Sequence, residues 1–240
     1  MARTLARAGA DAILVARNPE RLLKAAQTVS GETGRTVHWI SFDLTDTRRL
    51  PELMDKIFEI GEPDIFFYST GGPRPGTLME LDMDDWEEAV RLLLYPAVYI
   101  ARKTAERMAK KRWGRIIFLT SLAIKEPIEN IVLSSVVRTS LAGLVRVLAR
   151  ELGRKGITVN GIMPGIIRTE RVEEIARDLA ERRRKSVSQV LEDMAHEIPL
   201  GRLGKPEDIG SLATFLASDL ASYINGAMIP VDGGKLRSIL

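Results

Sequence analysis

The stretch Gly114-Arg115-Ile116-Ile117-Phe118-Leu119-Thr120-Ser121, then a long apolar helical pattern, then Gly156-Ile157-Thr158-Val159-Asn160-Gly161-Ile162-Met163-Pro164-Gly165, decides the fold. Each flank is a short apolar run containing β-branched residues, as expected of a strand buried in a parallel sheet. Between them Val137, Leu141, Leu144, Leu148 and Leu152 recur at three- and four-residue steps, which makes one apolar helical stripe. A strand, a crossover helix and a second strand form a βαβ unit, and such units join parallel neighbours.

The alternation continues outward. Apolar runs at 12–17, 37–42, 64–69 and 227–231 read as further strands, mostly ending at Gly, Pro, Ser or Asp. Helical patterns fall at 19–29, 46–60, 84–112, 129–153, 171–197 and 206–218, the first opened by Asn18 as N-cap and Pro19. This succession predicts an α/β protein with a Rossmann-type, doubly wound parallel sheet and helices on both faces. The 240 residues suit a single domain, 1–240, and the 45% hydrophobic share allows a substantial core.

The front end departs from that plan. Residues 1–8 read as a helix closed by Gly9 and followed by the strand at Ala12. A Rossmann-type domain places another strand before such a helix, with a glycine-rich turn whose N–H groups hold a pyrophosphate. Gly9 is the only glycine before Gly31, so no G-x-G-x-x-G exists here. The first strand and its turn are expected to be absent from this chain and to lie upstream, which would leave a gap between unpaired strand edges.

Taken in order, the motifs at the strand ends resemble the short-chain dehydrogenase/reductase family over nearly the whole chain, in general style its 3-oxoacyl-acyl-carrier-protein reductases. The blocks Pro199-Leu200-Gly201-Arg202-Leu203-Gly204-Lys205-Pro206-Glu207-Asp208 and Asn225-Gly226-Ala227-Met228-Ile229-Pro230-Val231-Asp232-Gly233-Gly234 carry the likeness most strongly. Read by themselves they only build the last helix and strand.

The resemblance implies a cofactor site. Where NAD-preferring members place an acid this chain has Ala16, followed by Arg17, so NADP(H) is expected over NAD(H); a plain surface arginine is the competing reading. Asp43, with Leu44 beside it, matches the aspartate at the adenine end. An Asp after a strand is otherwise a helix cap, but Thr45 or Asp46 can serve there. Ser69, Thr70 and Gly71 stand in the Asn-Asn-Ala-Gly turn. Pro164, Gly165, Ile167 and Thr169 match Pro-Gly-x-x-x-Thr, with the Ile167 backbone and Thr169 hydroxyl at the nicotinamide carboxamide. A substrate-covering insertion is expected near 166–198.

The catalytic positions are changed. The family's serine is Ser121, but the tyrosine thirteen residues later is Ser134 and the lysine four further on is Arg138. The asparagine seven residues after Trp86 is Leu93. Ser134 is a poor general acid, and Arg138 keeps a positive charge that can hold ribose hydroxyls but does not shuttle protons. Tyr68, beside the expected nicotinamide, is the candidate replacement acid. The catalytic set is thus Ser121, Ser134, Arg138 and Tyr68.

Other classes find little support. The net charge is +3 with mixed signs, and no apolar run reaches the ~18 residues of a membrane span, so neither nucleic acid nor membrane is an expected partner. Zero cysteines exclude disulfides and thiolate metal sites, and no metal-ligand spacing includes His38 or His196. The chain is expected to be a cytoplasmic homo-oligomer, paired through helices 84–112 and 129–153, that moves hydride between NADP(H) and a small ketone or secondary alcohol. A catalytically silent, nucleotide-binding or scaffolding relative is the alternative.

Overall fold

The computed structural model describes residues 1–238; the last two residues of the expected domain lie outside them. β1 (Ala12–Ala16) pairs with β2 (Val37–Ser41). β3 (Ile65–Tyr68), β4 (Gly114–Leu119), β5 (Ile157–Pro164) and β6 (Met228–Val231) pair in that order. Every pairing is parallel, so the carboxyl ends of β1 and β2 lie together, and those of β3 to β6 share one edge. β1 and β3 each carry a hydrogen-bonded neighbour on one side only. The winding runs outward from β1 to β2 and, on the other side, from β3 to β6. This reversal is the switch point at which α/β folds bind ligands beyond the strand ends. Side chains link the two parts: Leu44 and Phe66 pack against both the cluster around Phe118 and the cluster around Phe42.

Local chemistry explains the helices. α1 is Ala2–Arg7, and α2 (Pro19–Thr33) starts where the Asn18 side chain accepts the Arg21 N–H at 2.8 Å. It ends at Gly34, whose left-handed φ of 68° suits a residue without Cβ. α3 is Leu50–Ile60, with Pro51 in its first turn. The helix predicted at 84–112 is two helices, α4 (Met83–Leu93) and α5 (Tyr95–Lys111). Pro96 supplies no N–H to the helical ladder, so the carbonyl of Leu92 loses its partner there.

α6 (Val132–Leu152) lays Leu133, Val137, Leu141, Val145, Ala149 and Leu152 into the core. Leu144 and Leu148, predicted for that stripe, flank it and are only partly buried. The expectation about apolar length is corrected for this element: Val132–Lys155 is long and apolar enough to cross a membrane by length and composition. Here its apolar stripe packs against β4, β5 and α4.

The insertion predicted as one helix is a hairpin of α7 (Glu170–Arg183) and α8 (Val187–His196). Arg184 turns the chain at φ 53°, and Ser186 and Gln189 cap α8 reciprocally. The hairpin has its own small core of Ala176, Ala180 and Val190. α9 (Pro206–Ala217) packs on α1 and closes the other face of the sheet.

Candidate active site

The carboxyl ends of β3, β4 and β5 bring most of the expected residues to one edge. Ser121 leaves β4 in extended geometry, and its Oγ accepts the Ala123 N–H at 3.1 Å. That bond uses an acceptor lone pair and leaves the hydroxyl proton able to donate.

Arg138 is the organising group. It is 8% exposed, yet no carboxylate pairs with it among the described residues. Its Nε donates to Ser134 Oγ at 3.1 Å, Nη1 to the Leu119 carbonyl at 3.3 Å, and Nη2 to the Gly71 carbonyl at 3.1 Å. A continuing parallel ladder would send the Thr70 N–H to Leu119 O. β3 splays from β4 after Tyr68 instead, and the guanidinium takes that carbonyl. A guanidinium has five N–H donors, so one on each Nη remains unbonded. Burial pulls the Arg138 pKa below the usual arginine value, against the electrostatic influence of Tyr68, but arginine stays charged at any working pH. A buried charge without a counter-ion is costly, which favours a polar or anionic guest.

Tyr68 does not join the site. It is 4% exposed, and its hydroxyl donates to the Leu92 carbonyl at 2.7 Å. That is the carbonyl orphaned by Pro96. Burial pushes the Tyr68 pKa well up, with the Arg138 charge and the Thr70 hydroxyl pulling the other way. The phenol is thus a poor proton donor fixed in the core, which corrects the expectation of a replacement acid. Leu93, at the asparagine position, is fully buried with Ala89, Leu133 and Val137.

The remaining residues form the rim. The N–H groups of Ser69, Thr70 and Ile167 make no hydrogen bond among the described residues. Gly165 lies flush against Asp232: a Cβ there would sit 2.7 Å from Asp232 Cα. Pro164 ends β5 just before it. Thr169 is the N-cap of α7, but its hydroxyl caps nothing. Ile167 is held by flanking bonds, Arg168 N–H to Gly204 O at 2.8 Å and Gly204 N–H to Ile166 O at 2.9 Å.

At the far side, Arg17 is exposed and makes no ion pair within 4 Å among the described residues, and its carbonyl accepts from Ser41 Oγ at 2.9 Å. Asp43 is not free as expected. Its Oδ1 accepts both the Thr45 N–H at 2.9 Å and the Thr45 hydroxyl at 2.8 Å. Desolvation pushes its pKa up, but those bonds and the Arg17 charge outweigh this and hold it below the usual carboxylate value. Leu44 packs against the hydrophobic clusters of both sheets. His38 and His196 are both exposed, and neither belongs to a group of three or more potential metal ligands among the described residues.

Sequence reasoning missed the role of Leu92. Pro96 was the available signal, since a proline in a helical run orphans the carbonyl four residues earlier. It also missed an ion pair between Arg21 and Glu170, for which no local signal exists.

Parallel α/β sheets wound in opposite directions, with a serine at the end of β4 and a buried arginine bonded to the Leu119 carbonyl, have the layout of a doubly wound α/β fold. A family model described as Enoyl-(Acyl carrier protein) reductase matches residues 1–235, and the chain belongs to the short-chain dehydrogenase/reductase family. It is 31% identical over 235 residues to the 3-oxoacyl-[acyl-carrier-protein] reductase FabG of Escherichia coli strain K12, covering 98% of this chain and 90% of that one. The FabG of Pseudomonas aeruginosa PAO1 is 32% identical over 239 residues, with 99% and 92% covered. Among solved structures, L-sorbose reductase from Gluconobacter frateurii complexed with NADPH and L-sorbose is similar at a TM-score of 0.95 and 28% identity, covering 99% of this chain and 91% of that one. An NADPH-bound short chain oxidoreductase from Pseudomonas aeruginosa PAO1, described as containing an atypical catalytic center, is similar at a TM-score of 0.88 and 28% identity, with 98% and 91% covered.

Proposed function

We propose that this protein is an NADP(H)-linked oxidoreductase acting on a ketone or secondary alcohol, 3-oxoacyl-like substrates included, with an active site that works without a tyrosine acid. The observation that carries the reading is Arg138: a buried guanidinium without a carboxylate, aimed by Ser134, Leu119 and Gly71, with N–H donors still unbonded. NADPH-bound relatives of the same fold support the cofactor.

The residues present fit that cofactor. Unbonded N–H groups on Ser69, Thr70 and Ile167 and the unbonded Thr169 hydroxyl line the carboxyl edge. Arg17 supplies an exposed cation for a 2′-phosphate, and the open oxygen of Asp43 can accept from the adenosine. Arg138 would donate its unbonded N–H groups to the nicotinamide ribose hydroxyls. When bound, the nicotinamide supplies the hydride. Ser121 donates its hydroxyl proton in a hydrogen bond to the substrate oxygen, and the Arg138 charge stabilises negative charge developing there. Solvent water would supply the proton that ends on the alcohol, the hydroxide left behind being neutralised in bulk solvent.

A second reading rests on Tyr68. Because its hydroxyl is committed to Leu92, none of the expected catalytic set is a neutral-pH acid, and the chain can be a silent nucleotide-binding relative. The two readings separate on NADPH oxidation across a panel of ketones, with NADPH binding measured in parallel. Binding with turnover supports the first, and binding without turnover supports the second.

The groove between α5 and α6, lined by Val98, Ala105, Leu144 and Leu148 with Arg102 and Glu151 at its rim, is the face on which two copies pair. Sedimentation of the protein and of Leu148→Glu tests this, and a monomeric wild type overturns it.

A further inference from the structure

We infer that Arg21 is a second discriminating ligand for the 2′-phosphate of the dinucleotide, and that Glu170 holds it across the cofactor cleft until the phosphate arrives. The inference rests on the NADP(H) reading above. Arg21 Nη1 and Glu170 Oε2 lie 3.3 Å apart although 149 residues separate them in sequence. Arg21 sits in the first turn of α2, four residues beyond Arg17 at the end of β1. Glu170 is the first residue of α7 and follows Thr169, the N-cap whose hydroxyl makes no cap bond. The pair therefore joins the adenine-side wall of the cleft to the root of the α7–α8 hairpin.

The pair is not a stability device. Its side chains are 78% and 82% exposed, and pairs so exposed contribute little to folding. A cation in the first turn of a helix also opposes the helix dipole, so the placement is unfavourable unless an anion visits. The backbone of Arg21 is fixed by its N–H bond to Asn18, so the guanidinium swings from a set anchor. A dianionic phosphate between Arg17 and Arg21 outcompetes one carboxylate for the guanidinium, since Arg–phosphate contacts can be bidentate. Phosphate binding then frees Glu170, and with it the root of the hairpin.

Binding of NADPH and of NADH to the wild type, Arg21→Gln, Glu170→Gln and the double variant, followed by nicotinamide fluorescence, tests this. Arg21→Gln should weaken NADPH by about tenfold, the scale of one charge-assisted bond, and NADH by less than about twofold. Glu170→Gln should tighten NADPH by about two- to fivefold, and that gain should vanish in the double variant because the two residues act as one unit. Equal weakening of NADPH and NADH by Arg21→Gln, or no change in their ratio with Glu170→Gln, overturns the inference. A wild type that binds neither nucleotide overturns the cofactor reading itself, a distinct outcome.

Discussion

Arg138 reaches from α6 to the carbonyl oxygen of Gly71 at 3.1 Å, tying the helix to the loop that follows β3. The bond takes up a carbonyl just where β3 leaves the sheet, and it holds the serine-bearing end of β4 between two elements. The cation thus ties the loop to α6, and one N–H on each Nη remains unbonded among the described residues.

That double role makes Arg138→Lys informative. A lysine keeps the charge but cannot serve three acceptors in one plane as the guanidinium does. We expect NADPH-dependent kcat/KM to fall by about tenfold in Arg138→Lys and by more than about a hundredfold in Arg138→Met, the scale of losing one to two charge-assisted contacts. Steady-state kinetics at 340 nm, with circular dichroism as a control for folding, checks both.

Tyr68→Phe should affect stability rather than turnover. It leaves the Leu92 carbonyl without its 2.7 Å partner, a loss of about 1–3 kcal/mol for a buried unsatisfied acceptor. Turnover should stay within about twofold, whereas an acid–base role would cost about a hundredfold or more. The pH dependence has a definite sign. Burial raises the pKa of Tyr68 in the folded chain above its unfolded value. Its contribution is therefore complete below pH ~10 and declines as pH rises beyond that, because only the unfolded chain ionises readily. The difference in Tm between wild type and Tyr68→Phe should shrink above pH ~10.

The pH profile of ketone reduction follows from the same residues. Ser121, Ser134, Thr169 and Arg138 carry no proton that titrates near neutrality. Between pH 6 and 9, kcat/KM should vary by less than about threefold, where an acid–base pair would give a bell. A limb of unit slope in that window would point to a titrating donor.

Gly165→Ala tests the rim. The added Cβ would sit 2.7 Å from Asp232 Cα and 2.8 Å from its Cβ, contacts that backbone must move to relieve. Overpacking of this kind costs about 1–3 kcal/mol. Thermal melts should show the loss, and NADPH affinity should fall with it because Ile167 and Thr169 move with the loop.

Much of the fold was legible because strand burial and helix periodicity are local properties. β4, α6 and β5 lie where the apolar runs predict, within a few residues at their ends. What failed depended on single residues or distant contacts. Pro96 split one predicted helix, and Arg184 with Ser186 split another. Ser121 and Arg138 were placed by motif order, and the structure brings both to the carboxyl edge. Tyr68 was misjudged because nearness in sequence to the nicotinamide loop says nothing about the side chain's direction. β-strand residues alternate faces, and Tyr68 points into the core against Phe118. The Arg21–Glu170 pair joins segments 149 residues apart, and no local pattern encodes that contact.

The most direct test of a tyrosine-free reductase is NADPH consumption by the wild-type protein, followed at 340 nm with 3-oxoacyl thioesters and simple ketones. The account predicts substrate-dependent oxidation of NADPH in preference to NADH, abolished in Ser121→Ala and Arg138→Met and preserved in Tyr68→Phe. NADPH that binds but is never oxidised by any of these ketones, or turnover that disappears in Tyr68→Phe while the protein remains folded, would contradict it.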